Sequence, residues 1–244
     1  MKDIVLIIIF FSYTLCNVFD GYTLYTSEPN YTTYLIDNDL NVVNEWYADC
    51  RPASMGYLLS DSTLVYPCEQ DELVIDPTSA ASGRIIKIDW DRDVLWDWQC
   101  DWEYQLHHDI EPLANGNILV IAKEDIDGFM PDVILEIEPV GLNDANLVWS
   151  WKVSEHMSEE LDNPYTFYTH ADYNQLDWNH FNAINFNEYG EILLSSRNWG
   201  EIYVIEWGGN NDLLYRWGNP QNYGRVGEQI LFAPHGVNQI PIGY

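Results

Sequence analysis

Three histidines stand at equivalent points of a repeated strand pattern, and they are the residues best suited to chemistry. His108, His180 and His235 each precede a short strand-like segment, and 72 and 55 residues separate them. Near neutral pH an imidazole can act as a nucleophile, a proton donor or a proton acceptor. Met55 occupies the corresponding place in the first repeat, so the repeat itself does not require a histidine there. The pattern therefore predicts a functional cluster.

An arginine accompanies this cluster. Arg197 ends the second strand of the hairpin that His180 begins, and its guanidinium offers a fixed fork of donors to the oxygens of a phosphate or sulfate. Three histidines alone would suit a divalent metal, but a metal site disfavours a neighbouring cation. We therefore expect a metal-free site for a small anionic ester. His107, Asp109 and Asn179 flank the cluster and are predicted to bind substrate, although Asp109 could instead orient an imidazole or form a surface turn.

The elements that must position these residues are short strands joined by polar turns. One type of hairpin closes on a tryptophan and alternates with a second type, to which the histidines belong. Two hairpins in roughly 50 residues is typical of one four-stranded blade of a β-propeller. The sequence thus predicts an all-β propeller with about four blades, the last histidine-bearing strand beginning at 236–240.

The closing tryptophans are predicted to pack between blades, because large aromatic rings at alternating positions suit stacked sheets. They are Trp46, Trp98, Trp151 and Trp217.

The overall charge limits the partners. With 39 acidic and 10 basic residues the chain carries a formal charge of −29, which disfavours nucleic acid and anionic lipid. The 47% of apolar and 15% of aromatic residues indicate a folded protein. An anionic substrate gains no long-range attraction from such a protein, so its binding must depend on a local cationic pocket.

The N-terminus resembles an export signal. An apolar run at 4–11 follows Lys2, and it is too short to span a bilayer. We expect a signal peptide at 1–16 and a propeller domain at 17–244, with no membrane association after cleavage. A buried N-terminal strand is the alternative.

Three cysteines remain after such a cleavage, at positions 50, 68 and 100. An exported protein could pair Cys50 with Cys68 and leave Cys100 over, and buried free thiols are equally compatible with the sequence.

At these residues the sequence resembles the bacterial arylsulfate sulfotransferases that work without a nucleotide sulfate donor. The matching segments run in order along the chain, at 21–24, 34–37, 107–117, 177–184, 195–198, 215–221 and 234–237.

The resemblance implies a six-bladed propeller in the periplasm or outside the cell. It implies transfer of a sulfuryl group from a phenolic sulfate ester to a phenol, by a ping-pong mechanism and without a cofactor. His235 would become sulfohistidine, while His108, His180 and Arg197 would bind the sulfuryl oxygens. A histidine would protonate the departing phenolate. The expected partners are the small-molecule donor and acceptor, with a homodimer possible.

The chain also departs from the family. It ends nine residues after His235, about four blades are counted instead of six, and Gly236 stands where an acidic residue is expected. These departures predict a propeller that is incomplete at its C-terminus. Two other functions stay open: a metal-dependent hydrolase that uses the same histidines with Asp109, and a non-enzymatic propeller that binds a ligand or a protein through its loops.

Overall fold

The computed structural model describes residues 19–27, 30–69, 82–128, 130–156 and 177–240. The predicted signal peptide lies outside these residues. Within these residues the regular structure is almost entirely strand, with short 3-10 turns at Val153–Glu155 and Pro220–Tyr223. In these ranges no helix has the length and apolar character needed to cross a membrane.

The strands form four antiparallel sheets that follow one another along the chain, which confirms an all-β fold built of propeller blades. Blade 1 comprises β1 (Thr23–Ser27), β2 (Thr32–Ile36) and β3 (Val42–Tyr47). Blade 2 comprises β4 (Tyr57–Leu58), β5 (Leu64–Cys68), β6 (Arg84–Ile88) and β7 (Val94–Gln99). Blade 3 comprises β8 (Tyr104–Pro112), β9 (Ile118–Glu124), β10 (Asp132–Val140) and β11 (Asp144–Lys152). Blade 4 comprises β12 (Phe181–Phe186), β13 (Ile192–Ser196), β14 (Glu201–Ile205) and β15 (Leu213–Trp217).

Burial follows the position of a strand within its blade. In β5, β9 and β13 every residue is buried, because both faces of these second strands are covered. The outermost strands β3 and β7 share one pattern, in which two exposed residues precede alternating buried positions. This two-residue period is typical of a strand with one covered face. Because the residue types alternate in the same way, the repeat could be predicted from the sequence.

Tryptophans link each blade to the next by hydrogen bonds as well as by packing. Trp46 Nε1 donates to the backbone oxygen of Asp89 at 2.7 Å, which joins blade 1 to blade 2. Trp96 Nε1 donates to the backbone oxygen of Asp144 at 2.8 Å, which joins blade 2 to blade 3. Trp151 Nε1 makes the same kind of bond to blade 4 at 3.1 Å. Each bond contributes about 1 kcal/mol net.

Packing between blades is confirmed for Trp46, Trp98 and Trp151, which are at most 3% exposed. It is wrong for Trp217, which is 41% exposed. Trp217 lies at the end of β15, the outermost strand of blade 4, and within the described residues no later blade covers that strand.

The structure decides between a disulfide and free thiols, which the sequence left open. Cys50 and Cys68 form a disulfide that joins the end of blade 1 to β5. Cys100 is a buried free thiol, and burial raises its pKa to about 11.

The prediction of a strand at 236–240 is wrong. Residues 231–240 follow an irregular path. Ala233 and Gly236 have φ angles of +49° and +68°, which interrupt an extended backbone. The segment bonds to blade 4 through side chains instead, since Gln239 Oε1 accepts from the Glu188 backbone amide at 2.8 Å.

Candidate active site

The predicted site begins at a bulge in β8. Leu106 pairs with Ala122, and the next paired residue, Ile110, faces Val120. Residues 107–109 therefore stand opposite a single residue of β9, and the strand bends there. His108 thus lies within β8, where the sequence placed it before the strand. The bulge redirects the side chains of three consecutive residues that a regular strand would alternate between two faces.

Backbone conformation marks the same point in the next blade. His108 has a φ of +56° and His180, immediately before β12, has a φ of +53°. Left-handed conformations are uncommon for residues other than glycine and persist only where the surroundings hold them. Met55, at the equivalent point of blade 2, has an ordinary negative φ. The left-handed conformation therefore accompanies His108 and His180, and neither Met55 nor His235 shares it.

Three imidazoles form a contiguous row. His107 Nδ1 and His108 Nδ1 are 2.8 Å apart, so one of them donates a hydrogen bond to the other. The rings of His108 and His180 meet edge to face, with their centroids 4.6 Å apart. The structure therefore brings His108 of blade 3 into contact with His180 of blade 4. His107 contacts His108 on the other side.

A buried carboxylate closes one end of the row. Asp132 is fully buried at the start of β10, and its Oδ1 lies 3.3 Å from His107 Nε2. Its Oδ2 accepts a hydrogen bond from the Phe181 amide at 2.5 Å. Burial raises the pKa of Asp132 to about 7, although the charge of Lys123 and the Phe181 amide act in the opposite direction. We call Asp132, His107 and His108 the Asp132 arm.

A second carboxylate holds the other end. Asp177 accepts a hydrogen bond from His180 Nδ1 at 2.7 Å and another from Lys123 Nζ at 2.9 Å. Lys123 is only 2% exposed. Burial alone would raise the pKa of Asp177, but the His180 bond and the charge of Lys123 outweigh it, so this pKa falls well below its usual range. We call Lys123, Asp177 and His180 the Asp177 arm.

His108, where the two arms meet, is held neutral. Burial lowers its pKa to about 2, aided by electrostatic interaction with His107, His180 and Lys123. A neutral imidazole between two others can pass a proton on without acquiring a lasting charge.

Arg197 lies at the His180 end of the row. Its backbone amide donates to the His180 carbonyl at 3.1 Å, directly after β13 ends. Its Nη1 donates to Asn198 Oδ1 at 3.0 Å, and Asn198 in turn donates to the Asp177 carbonyl at 2.6 Å. The guanidinium is thus attached to the segment that carries Asp177 and His180.

The position of His235 is set by the irregular segment 231–240, which bonds to blade 4. Asn182, in β12, donates from Nδ2 to the Pro234 carbonyl at 2.8 Å, which ties the segment to the strand that His180 precedes. His235 is exposed, and its Nδ1 lies 2.9 Å from the Ala233 carbonyl. A carbonyl only accepts, so Nδ1 carries the hydrogen and Nε2 keeps the lone pair of a neutral ring.

Asp109 and Asn179 are committed to contacts within the protein. Asp109 accepts from the Tyr57 hydroxyl and from the Ile184 amide, which ties together the inner strands of blades 2, 3 and 4. Asn179 is fully buried, and its Oδ1 accepts from the Asp132 amide at 3.4 Å. Their contact with substrate stays a prediction.

Sequence reasoning missed Lys123, Asp132 and Asp177. Asp132 and Lys123 face each other across β10 and β9, and this cross-strand pairing is invisible until the register is known. Asp177 precedes His180 by three residues, a spacing that would have been a usable signal. Among the described residues, no group of three or more His, Cys, Asp or Glu side chains is arranged to hold a metal ion.

Comparison with protein families gives one match. The family model described as Arylsulfotransferase (ASST) matches residues 81–243, a range that contains all six residues of the two arms as well as Arg197 and His235. A search of curated proteins finds no match.

Solved structures show weaker likeness. A Bacteroides caccae protein of unknown function is 15% identical with a TM-score of 0.49, covering 81% of this chain and 58% of that one. A streptogramin B lyase is 11% identical with a TM-score of 0.47, covering 82% and 52%. A virginiamycin B lyase from Staphylococcus aureus is 11% identical with a TM-score of 0.45, covering 82% and 56%. The chain thus spans a little over half the length of these structures.

Proposed function

This chain belongs to the arylsulfotransferase (ASST) family, and we propose from that premise that the protein transfers a sulfuryl group from a phenolic sulfate ester to a phenol through sulfohistidine at His235. The observation that carries the proposal is the row of imidazoles with Arg197 beside it, inside the matched range. We also propose export to the periplasm or the exterior, which the Cys50–Cys68 disulfide supports.

Local positive charge suits the substrate. Sulfuryl transfer spreads negative charge over three equatorial oxygens, so catalysis depends mainly on positioning and electrostatic stabilisation. Arg197 offers a fork of donors to such oxygens, and the Asp177 carboxylate fixes the orientation of the His180 ring by accepting a hydrogen bond from Nδ1. Together with Lys123, Arg197 supplies local positive charge beside the row of imidazoles in a chain whose formal charge is −29.

The proposed reaction has two half-reactions. In the first, His235 Nε2 attacks sulfur, the N–S bond forms, and the bond from sulfur to the phenolic oxygen breaks. The departing phenolate takes a proton from His108. In the second, the acceptor phenol attacks the sulfohistidine sulfur, its proton passes to His108, and the N–S bond breaks to restore His235. Splitting the transfer in this way produces ping-pong kinetics.

The test is transfer from 4-nitrophenyl sulfate to phenol. The protein should release nitrophenolate and form phenyl sulfate, and His235→Ala should abolish both. His156→Gln is the matched control, because His156 stacks on Trp151 away from the two arms and its loss should leave the rate unchanged. Absence of phenyl sulfate with the unaltered protein would overturn the proposal. Loss of activity on chelation would favour a metal-dependent hydrolase instead.

A further inference from the structure

The Asp132 arm joins a fully buried carboxylate to the imidazole at the site through a second imidazole. His107 is itself only 3% exposed and is enclosed between Asp132 and His108. Within the described part of the chain Asp132 Oδ1 makes no hydrogen bond of good geometry, and its 3.3 Å contact with His107 Nε2 is long. Hydrogen bonds of catalytic groups are often long before substrate binds.

The contact between the two Nδ1 atoms couples the protonation of these three groups. At 2.8 Å one Nδ1 must carry a hydrogen and the other must accept it. If Asp132 is ionised, His107 donates to it from Nε2 and accepts at Nδ1, so His108 holds its hydrogen on Nδ1 and keeps a lone pair on Nε2. If Asp132 is protonated, each bond reverses and His108 carries its hydrogen on Nε2.

We propose that the Asp132 arm is a proton relay, in which Asp132 stores the proton that the two half-reactions exchange; this inference rests on the proposed function. When His108 gives its Nε2 hydrogen to the departing phenolate, His107 passes its Nδ1 hydrogen to His108 Nδ1, and Asp132 passes its proton to His107 Nε2. The acceptor phenol later returns one proton along the same path. No charge accumulates on either imidazole, and Asp132 ends the cycle as it began.

The surroundings of Asp132 suit a group that changes protonation. It faces His107 from β8, Lys123 from β9, Asp177 and His180 from the segment before β12, and the Phe181 amide. Full burial opposes its charge while Lys123 and the amide favour it, so its pKa of about 7 lies close to physiological pH. Both protonation states are then accessible without a large cost.

Nitrogen-15 NMR of histidine-labelled protein tests the relay without requiring activity, because protonated and unprotonated ring nitrogens have different chemical shifts. In the unaltered protein His108 should hold its hydrogen on Nε2 in mild acid and on Nδ1 in mild base, with the change near pH 7. In Asp132→Asn the amide can donate to His107 Nε2 while its oxygen still accepts from Phe181 N. His108 should then hold its hydrogen on Nε2 throughout. The same His108 tautomer in both proteins at every pH would overturn the relay.

Single-turnover kinetics separate the relay from a structural role. A nitrophenolate can leave without being protonated, whereas a methoxyphenolate, which is more basic, needs a proton to leave. In Asp132→Asn the rate of the donor half-reaction with 4-nitrophenyl sulfate should stay within a few-fold of that of the unaltered protein. With 4-methoxyphenyl sulfate the rate should fall by about 10²-fold. Equal slowing with both donors would indicate a structural role and contradict the relay. If the unaltered protein transfers nothing, the proposed function fails, and the NMR result still decides the relay.

Discussion

Two arms, each built around a carboxylate and an imidazole, meet in this site and differ in charge. Each joins a carboxylate to an imidazole, and they touch where the His108 and His180 rings lie with their centroids 4.6 Å apart. In the Asp177 arm, Lys123 and His180 keep the pKa of the carboxylate well below its usual range. In the Asp132 arm, full burial raises the pKa of the carboxylate to about 7. Environment thus assigns one carboxylate a permanent charge and the other a mobile proton.

The largest expected effect comes from removing the permanent charge. Asp177→Asn removes the carboxylate that pairs with the buried Lys123 and that accepts the hydrogen bond from His180 Nδ1. The transfer rate should fall by about 10² to 10⁴-fold, and the free energy of unfolding by about 3 kcal/mol. Steady-state assays and urea unfolding measure these changes. Asp101→Asn is the matched control, because Asp101 is exposed and its loss should change neither.

The same variant has a characteristic dependence on pH. The folded pKa of Asp177 is depressed, so its stabilising contribution is complete above the unfolded pKa of about 4 and is lost as pH falls toward the folded value. The stability gap between the unaltered protein and Asp177→Asn should be constant above about pH 5 and should narrow in acid. A gap that widens in acid would contradict an ionised Asp177.

Lys123→Met removes a positive charge that acts on the carboxylates of both arms. Lys123 favours the charged form of Asp132, so its loss should raise that pKa further and move the His108 tautomer change to higher pH, by about one unit. Nitrogen-15 NMR across the titration measures the midpoint. Lys87→Met is the control, since Lys87 bonds to the Gly116 carbonyl outside both arms. An unmoved midpoint would show that Lys123 does not act on the protonation of Asp132.

A smaller effect is expected at Asp109, which lies next to His108 and belongs to neither arm. Tyr57→Phe removes the hydroxyl that Asp109 accepts from. The free energy of unfolding should fall by about 1.5 kcal/mol, because a bond between inner strands is lost. The KM for donor should not change. A large rise in KM would show that Asp109 contacts substrate, as the sequence predicted.

The smallest effect lies outside the site. Trp46→Phe keeps an aromatic ring between blades 1 and 2 but removes the hydrogen bond to the Asp89 carbonyl. Stability should fall by about 1 kcal/mol with no change in transfer rate. A measurable loss of activity would show that the site is sensitive to blade packing, and would weaken any assignment of rate effects to the arms alone.

The repeat was predictable from the sequence because it is local. Alternating burial in β3 and β7 appears directly as alternating residues, and each hairpin contains its own turn. The histidines fell in register for the same reason. The prediction failed where the local pattern and the tertiary context disagree. Residues 236–240 alternate like a strand, yet Gly236 and the preceding Ala233 have left-handed φ angles.

The arms were not predictable, because they depend on pairing between strands. Asp132 meets Lys123 only through the register of β10 and β9, and His107 turns toward Asp132 only because β8 bulges there. Neither feature leaves a periodic trace in the sequence. A lysine that follows an apolar run, as Lys123 follows 118–122 in β9, is the nearest available signal, since burial of a cation requires a partner.

The most direct test of the account is the covalent intermediate. After rapid mixing with 4-nitrophenyl sulfate and no acceptor, the quenched protein should be digested and its peptides analysed by mass spectrometry under alkaline conditions. We expect one SO₃ group on His235, which disappears when phenol is added and forms phenyl sulfate. Nitrophenolate release with unmodified His235, or modification of His108 or His180 instead, would contradict the account.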